Sequence, residues 1–108
     1  MFNQEEIKSI IIRLFLQIKT MDEPITDETS LYAMNGHLSS IELVMLIVDI
    51  EQELRNLYKL PLVIASSKAM SQKNSPFNNV NSFTTFIFDE LNILNNTQLS
   101  WKNPFYSS

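Results

Sequence analysis

Apolar residues in the first twenty positions recur at spacings of three and four: Ile7, Ile10, Ile11, Leu14 and Ile18, with Phe15 widening the stripe. Glu5, Glu6, Lys8, Arg13 and Lys19 fall elsewhere, so residues 3–20 are predicted to form an amphipathic helix. Asn3 followed by Glu6 fits a capping box loosely, with Asn in place of the usual Ser or Thr. A polar stretch over 21–39 comes next, carrying Pro24, Asp27, Glu28, Asn35 and Gly36. A connection this long in a small domain is usually functional or tucked against the core. Leu31 and Tyr32 are its expected anchors, because an apolar side chain in a polar loop gains little unless buried.

Helical periodicity returns at Ser40 and persists to about Tyr58. Leu43, Ile47, Ile50, Leu54 and Leu57 form the expected core face. Ile41, Val44, Met45 and Val48 make a second stripe, which must either be buried or be shown to a partner. Residues 59–79 read as irregular, from Pro61 to Asn74-Ser75-Pro76-Phe77, with a short helical turn fitting Ser67 to Gln72. A last helix is expected over roughly 80–94, with Val80, Phe83, Phe86, Ile87 and Leu91 on one face. The remainder, 95–108, reads as a tail with Trp101, Phe105 and Tyr106. No strand or repeat competes, so the class is all-α, with a domain over 1–94 and a C-terminal tail over 95–108.

With 108 residues, 44% of them hydrophobic, the chain is long enough for one packed domain. A net charge of −4 argues against nucleic acid and suits partners that present a basic patch. There is no cysteine, so thioester chemistry would need a thiol supplied by a cofactor. The polar, acidic start and the shortness of the apolar-rich run from Ile41 to Ile50 predict a soluble cytoplasmic protein without a membrane span.

Catalytic constellations are absent from the sequence. His37 is the single histidine, and no HExxH, Walker or GxGxxG pattern occurs. A lone loop histidine is more often a solvated residue than a general base, so no enzyme is expected. Asp49, Glu51 and Glu53 fall at i, i+2 and i+4 of a helix and read as a solvated acidic face rather than a metal cluster.

The stretch Gly36-His37-Leu38-Ser39-Ser40-Ile41-Glu42-Leu43 carries most of the functional information. Here a serine stands where a loop becomes a helix, a place where backbone N–H groups and the helix dipole favour an attached anion. Ser40 can be a plain N-cap or the attachment point of a phosphate-linked group; Ser39 could do the capping instead.

The order helix, long loop, serine-headed helix, second loop and closing helix, in an acidic chain, resembles the acyl carrier protein family. There an Asp-Ser-Leu motif heads the second helix. Ser39-Ser40-Ile41 looks like that motif, and Asp27-Glu28-Thr29-Ser30-Leu31 looks like the loop approaching it. Leu46-Ile47-Val48-Asp49-Ile50-Glu51-Gln52 and Lys68 to Phe77 are similar to a specialised bacterial branch with an extended second loop, associated with lipid or polysaccharide modification. The likeness covers about residues 5–92. Matching Glu42-Leu43-Val44-Met45 to a common carrier string would instead put His37 at the serine position and demand a three-residue insertion; the register on Ser40 runs to Leu54 without a gap.

The resemblance implies a four-helix bundle of three main helices and a short one, with a long first loop. It implies 4′-phosphopantetheine carried covalently on Ser40, and an acyl group held as a thioester for partner enzymes. Expected partners are a phosphopantetheinyl transferase and acyl-activating and acyltransferase-type enzymes with basic docking patches, met by Ser39, Ile41, Glu42, Val44, Met45 and Val48 of a monomer. Ser39 replaces the family's aspartate, removing one charge beside the attachment point. The alternatives are an unmodified carrier-like helical interaction module and an unrelated helical adaptor using the stripe from Ile41 to Val48.

Overall fold

A computed structural model describes residues 2–32, 36–64 and 76–102, and three helices lie among them: α1 (Gln4–Ile18), α2 (Ser40–Tyr58) and α3 (Val80–Lys102). The described residues hold no strand; a single antiparallel bridge joins Ser30 to Asn79. The short helical turn expected at Ser67 to Gln72 lies outside the described residues; the three helices are those among the described ones.

The local starts follow from side-chain oxygens that satisfy first-turn N–H groups. Asn3 caps α1 by accepting from the N–H groups of Glu5 and Glu6. Glu6 turns its carboxylate to the Tyr58 hydroxyl. At α3 the Asn79 side chain accepts from the Ser82 N–H at 2.8 Å, and the Ser82 hydroxyl accepts from the Asn79 N–H at 3.2 Å.

Both α2 and α3 pack on α1, which buries Ile7, Ile10, Ile11, Leu14 and Phe15 against them. On α2 the buried set is Leu43, Leu46, Ile47, Ile50 and Leu54. One expectation changes and one residue is added. Leu46, placed on neither stripe from the sequence, is fully buried, since it lies three residues after Leu43 and four before Ile50 on the same face. Leu57 is 47% exposed. In the last turn it is Tyr58 that meets α1, with its ring edge-on to Phe2 at 4.9 Å and its hydroxyl on Glu6.

Helix α2 stops at Lys59, which adopts a left-handed backbone conformation (φ 58°) and donates its N–H to the Arg55 carbonyl. The chain then alternates: Leu60, Leu62 and Ile64 are buried while Pro61 and Val63 are exposed. Two α2 side chains pin this segment. Arg55 Nε donates to the Leu62 carbonyl at 2.7 Å, and the Ile64 N–H donates to Glu51 Oε2 at 2.6 Å.

The first loop is fastened to the start of α3 by backbone. Leu31 N–H donates to the Asn78 carbonyl at 2.8 Å, Val80 N–H to Thr29 at 3.2 Å, and Asn81 N–H to Asp27 at 2.8 Å. Val80, Phe83, Ile87 and Leu91 of α3 are buried as their spacing predicts, whereas Phe86 is half-buried. Helix α3 continues to Lys102, so residues 95–102, expected in a tail, extend it. No helix among the described residues is long and apolar enough to cross a membrane.

Candidate functional site

The approach to α2 is built around a close backbone contact. Leu38 N–H donates to the Leu31 carbonyl at 2.9 Å and closes the loop between them. Within it Gly36 presses on Tyr32: a Cβ at Gly36 would stand 2.4 Å from the Tyr32 Cα, a distance no side chain tolerates. The chain's one glycine therefore stands where the loop needs it. Leu31 is fully buried and Tyr32 packs half-buried against the core, so both anchors predicted for the loop are in place.

The helix start divides its work between two serines. Ser39 is the N-cap: its hydroxyl accepts from the Glu42 N–H at 3.2 Å, while Glu42 Oε1 accepts from the Ser39 N–H at 2.9 Å. This reciprocal capping box satisfies two otherwise orphaned donors. Lys19, the residue that ends α1, adds an ion pair to Glu42 at 3.3 Å. The Ser39 N–H, followed by Lys19, holds the Glu42 carboxyl below its ordinary range.

Ser40 is thus the first helical residue and free of capping duty. Its side chain is exposed, and its Oγ lies 3.0 Å from the Tyr32 hydroxyl oxygen. A hydroxyl there sits in the first turn, where the backbone N–H groups and the dipole stabilise negative charge by roughly 0.3–1 kcal/mol.

Beside it the second stripe of α2 is uncovered. Ile41 is 74% exposed, Val44 55%, Met45 49% and Val48 42%. At positions 41, 44, 45 and 48 these side chains share one helical face that begins next to Ser40. Of the two fates open to this stripe, display prevails over burial.

Of the acidic face expected of Asp49, Glu51 and Glu53, two carboxylates are engaged by other parts of the fold. Glu53 pairs with Arg13 of α1 at 2.8 Å, and Glu51 holds Ile64 while lying 3.7 Å from Arg55. These carboxylates tie elements together, and partners across the fold are what the helix pattern alone did not reveal. Among the described residues no group of three or more His, Cys, Asp or Glu is placed to hold a metal ion. His37 is exposed in the loop three residues before Ser40.

Sequence reasoning singled out Ser39, Ser40, Ile41, Glu42, Val44, Met45 and Val48, and the fold gathers them at the start and along one side of α2. It missed the Tyr32 hydroxyl and Lys19. The signal for Tyr32 was in hand, since a ring chosen as an anchor brings a hydroxyl that seeks a partner. No protein-family model, curated protein or solved structure matches the chain.

Proposed function

We propose that this protein is an acyl carrier, loaded with 4′-phosphopantetheine on Ser40, that serves enzymes of lipid or polysaccharide modification. The observation that carries this reading is the release of Ser40 from capping: Ser39 closes the helix start, leaving an exposed hydroxyl at its first residue beside an exposed apolar stripe.

The residues present fit such a group. Ser40 Oγ is open to a transferase, the first-turn N–H groups favour a phosphodiester at that point, and the chain brings no thiol of its own. Bound there, the group would supply a flexible thiol for thioester chemistry.

The chain's part is attachment and display. In the loading step Ser40 Oγ forms a bond to the β-phosphorus of coenzyme A as the pyrophosphate P–O bond breaks. Adenosine 3′,5′-bisphosphate leaves, and the serine proton passes to a base of the transferase. Ser39 and Glu42 keep the helix start rigid while this happens. Ile41, Val44, Met45 and Val48 offer partner enzymes an apolar strip alongside, and the net charge of −4 favours encounter with basic patches.

Intact-mass measurement after incubation with coenzyme A and a promiscuous phosphopantetheinyl transferase tests the proposal. The wild type gains the mass of one arm and Ser40→Ala does not; an unchanged wild-type mass refutes it. One observation favours a second reading, an unmodified interaction module. Ser39 is uncharged, and Glu42 and Glu53 are held by Lys19 and Arg13, which lowers the negative charge offered to a basic enzyme.

A further inference from the structure

Besides the two serines, the helix start has a third hydroxyl beside it, that of Tyr32. Tyr32 is fixed from three sides: Leu31, its buried neighbour, is bonded through its N–H to Asn78 and through its carbonyl to Leu38, and Gly36 lies against the Tyr32 backbone. The ring packs on the core, and the hydroxyl oxygen ends 3.0 Å from Ser40 Oγ. An exposed serine hydroxyl ordinarily samples several rotamers. This one has a partner held in place by buried structure.

We propose that Tyr32 is a positioning residue for Ser40: its hydroxyl, set by the Gly36 contact, keeps the Ser40 side chain in one rotamer and donates to Oγ as the serine proton departs. The inference rests on the carrier reading and deepens it. Ser40 Oγ gains the bond to phosphorus and loses its proton to the transferase's base. Tyr32 keeps its own proton and gives only a hydrogen bond to the oxygen while negative charge gathers there. Tyr32→Phe removes this donor and leaves the packed ring.

Two measurements on the full-length protein test it. In the transferase assay with coenzyme A, Tyr32→Phe is expected to lower kcat for arm attachment about three- to tenfold, the effect of losing one hydrogen bond, with KM for this protein unchanged. By NMR the two Hα–Hβ couplings of Ser40 take the values of one staggered rotamer in the wild type and move toward the rotamer-averaged value in Tyr32→Phe. A circular dichroism melt of the variant controls for folding. An unchanged kcat with unchanged couplings overturns the role of Tyr32 while leaving the carrier reading intact, and so does a faster reaction, which would make the hydroxyl an obstacle. A fall in kcat without any change in couplings overturns the rotamer claim. A wild type that accepts no arm overturns both readings at once.

Discussion

Glu51 on α2 receives the backbone N–H of Ile64 at 2.6 Å, although they lie thirteen positions apart and the segment between turns back on itself. Ile64 is fully buried, so its N–H has been withdrawn from water and depends on that carboxylate. Glu51→Ala is expected to cost about 1–3 kcal/mol, the range for leaving a buried donor unsatisfied. Glu51→Gln keeps an acceptor and should cost less. Urea unfolding of the two variants checks the ranking.

Leu46 and Leu57 provide a paired test of the packing. Leu46 is fully buried on the face that meets α1, while Leu57 is nearly half exposed. Leu46→Ala should destabilise by about 2–5 kcal/mol through lost burial and the cavity left behind. Leu57→Ala should stay below about 1 kcal/mol, since little of its surface leaves water on folding. Equal losses in chemical denaturation would contradict the assignment of the core face.

Tyr58 gives the alkaline limb a specific signature. Burial, followed by its bond to Glu6, pushes the phenol up from 10.0 to about 12. The unfolded chain therefore loses this proton first. The stabilising contribution is complete below about pH 10 and declines as pH rises toward 12. An absorbance titration should show a late phase near pH 12, and Tyr58→Phe should remove that phase. The stability advantage of wild type over this variant should shrink across the same pH range.

The exposed stripe can be charged without harming the fold. Val48→Glu or Ile41→Asp replaces a side chain that faces solvent, so the melting free energy should change by less than about 0.5 kcal/mol. Under the carrier reading these variants should slow transfer reactions with partner enzymes, measured as a rise in KM for the protein. Under the adaptor reading the stripe also matters, but Ser40→Ala has no effect on binding.

Much of the skeleton was legible from periodicity. Asn3, Ser40 and Tyr58 marked boundaries that the fold keeps, because a capping oxygen and a three-four apolar rhythm are local properties. What escaped was set by distant chain. Leu57 satisfied the helical spacing as well as Leu46, and only the meeting of Tyr58 with Phe2 and Glu6 decides which surface of the last turn faces inward. The last helix was expected over roughly 80–94, yet it runs on to Lys102. At the site, adjacent serines are equivalent by composition. Their roles separate only when Glu42 completes a box with the first and Tyr32 meets the second.

That separation has a consequence for how such a protein can change over generations. Firmness of the helix start resides on Ser39 and Glu42, so the hydroxyl at position 40 can be deleted while the scaffold survives. A descendant bearing alanine there would still fold and still display its greasy flank, and under the carrier reading it would have become a pure adaptor by a single codon change.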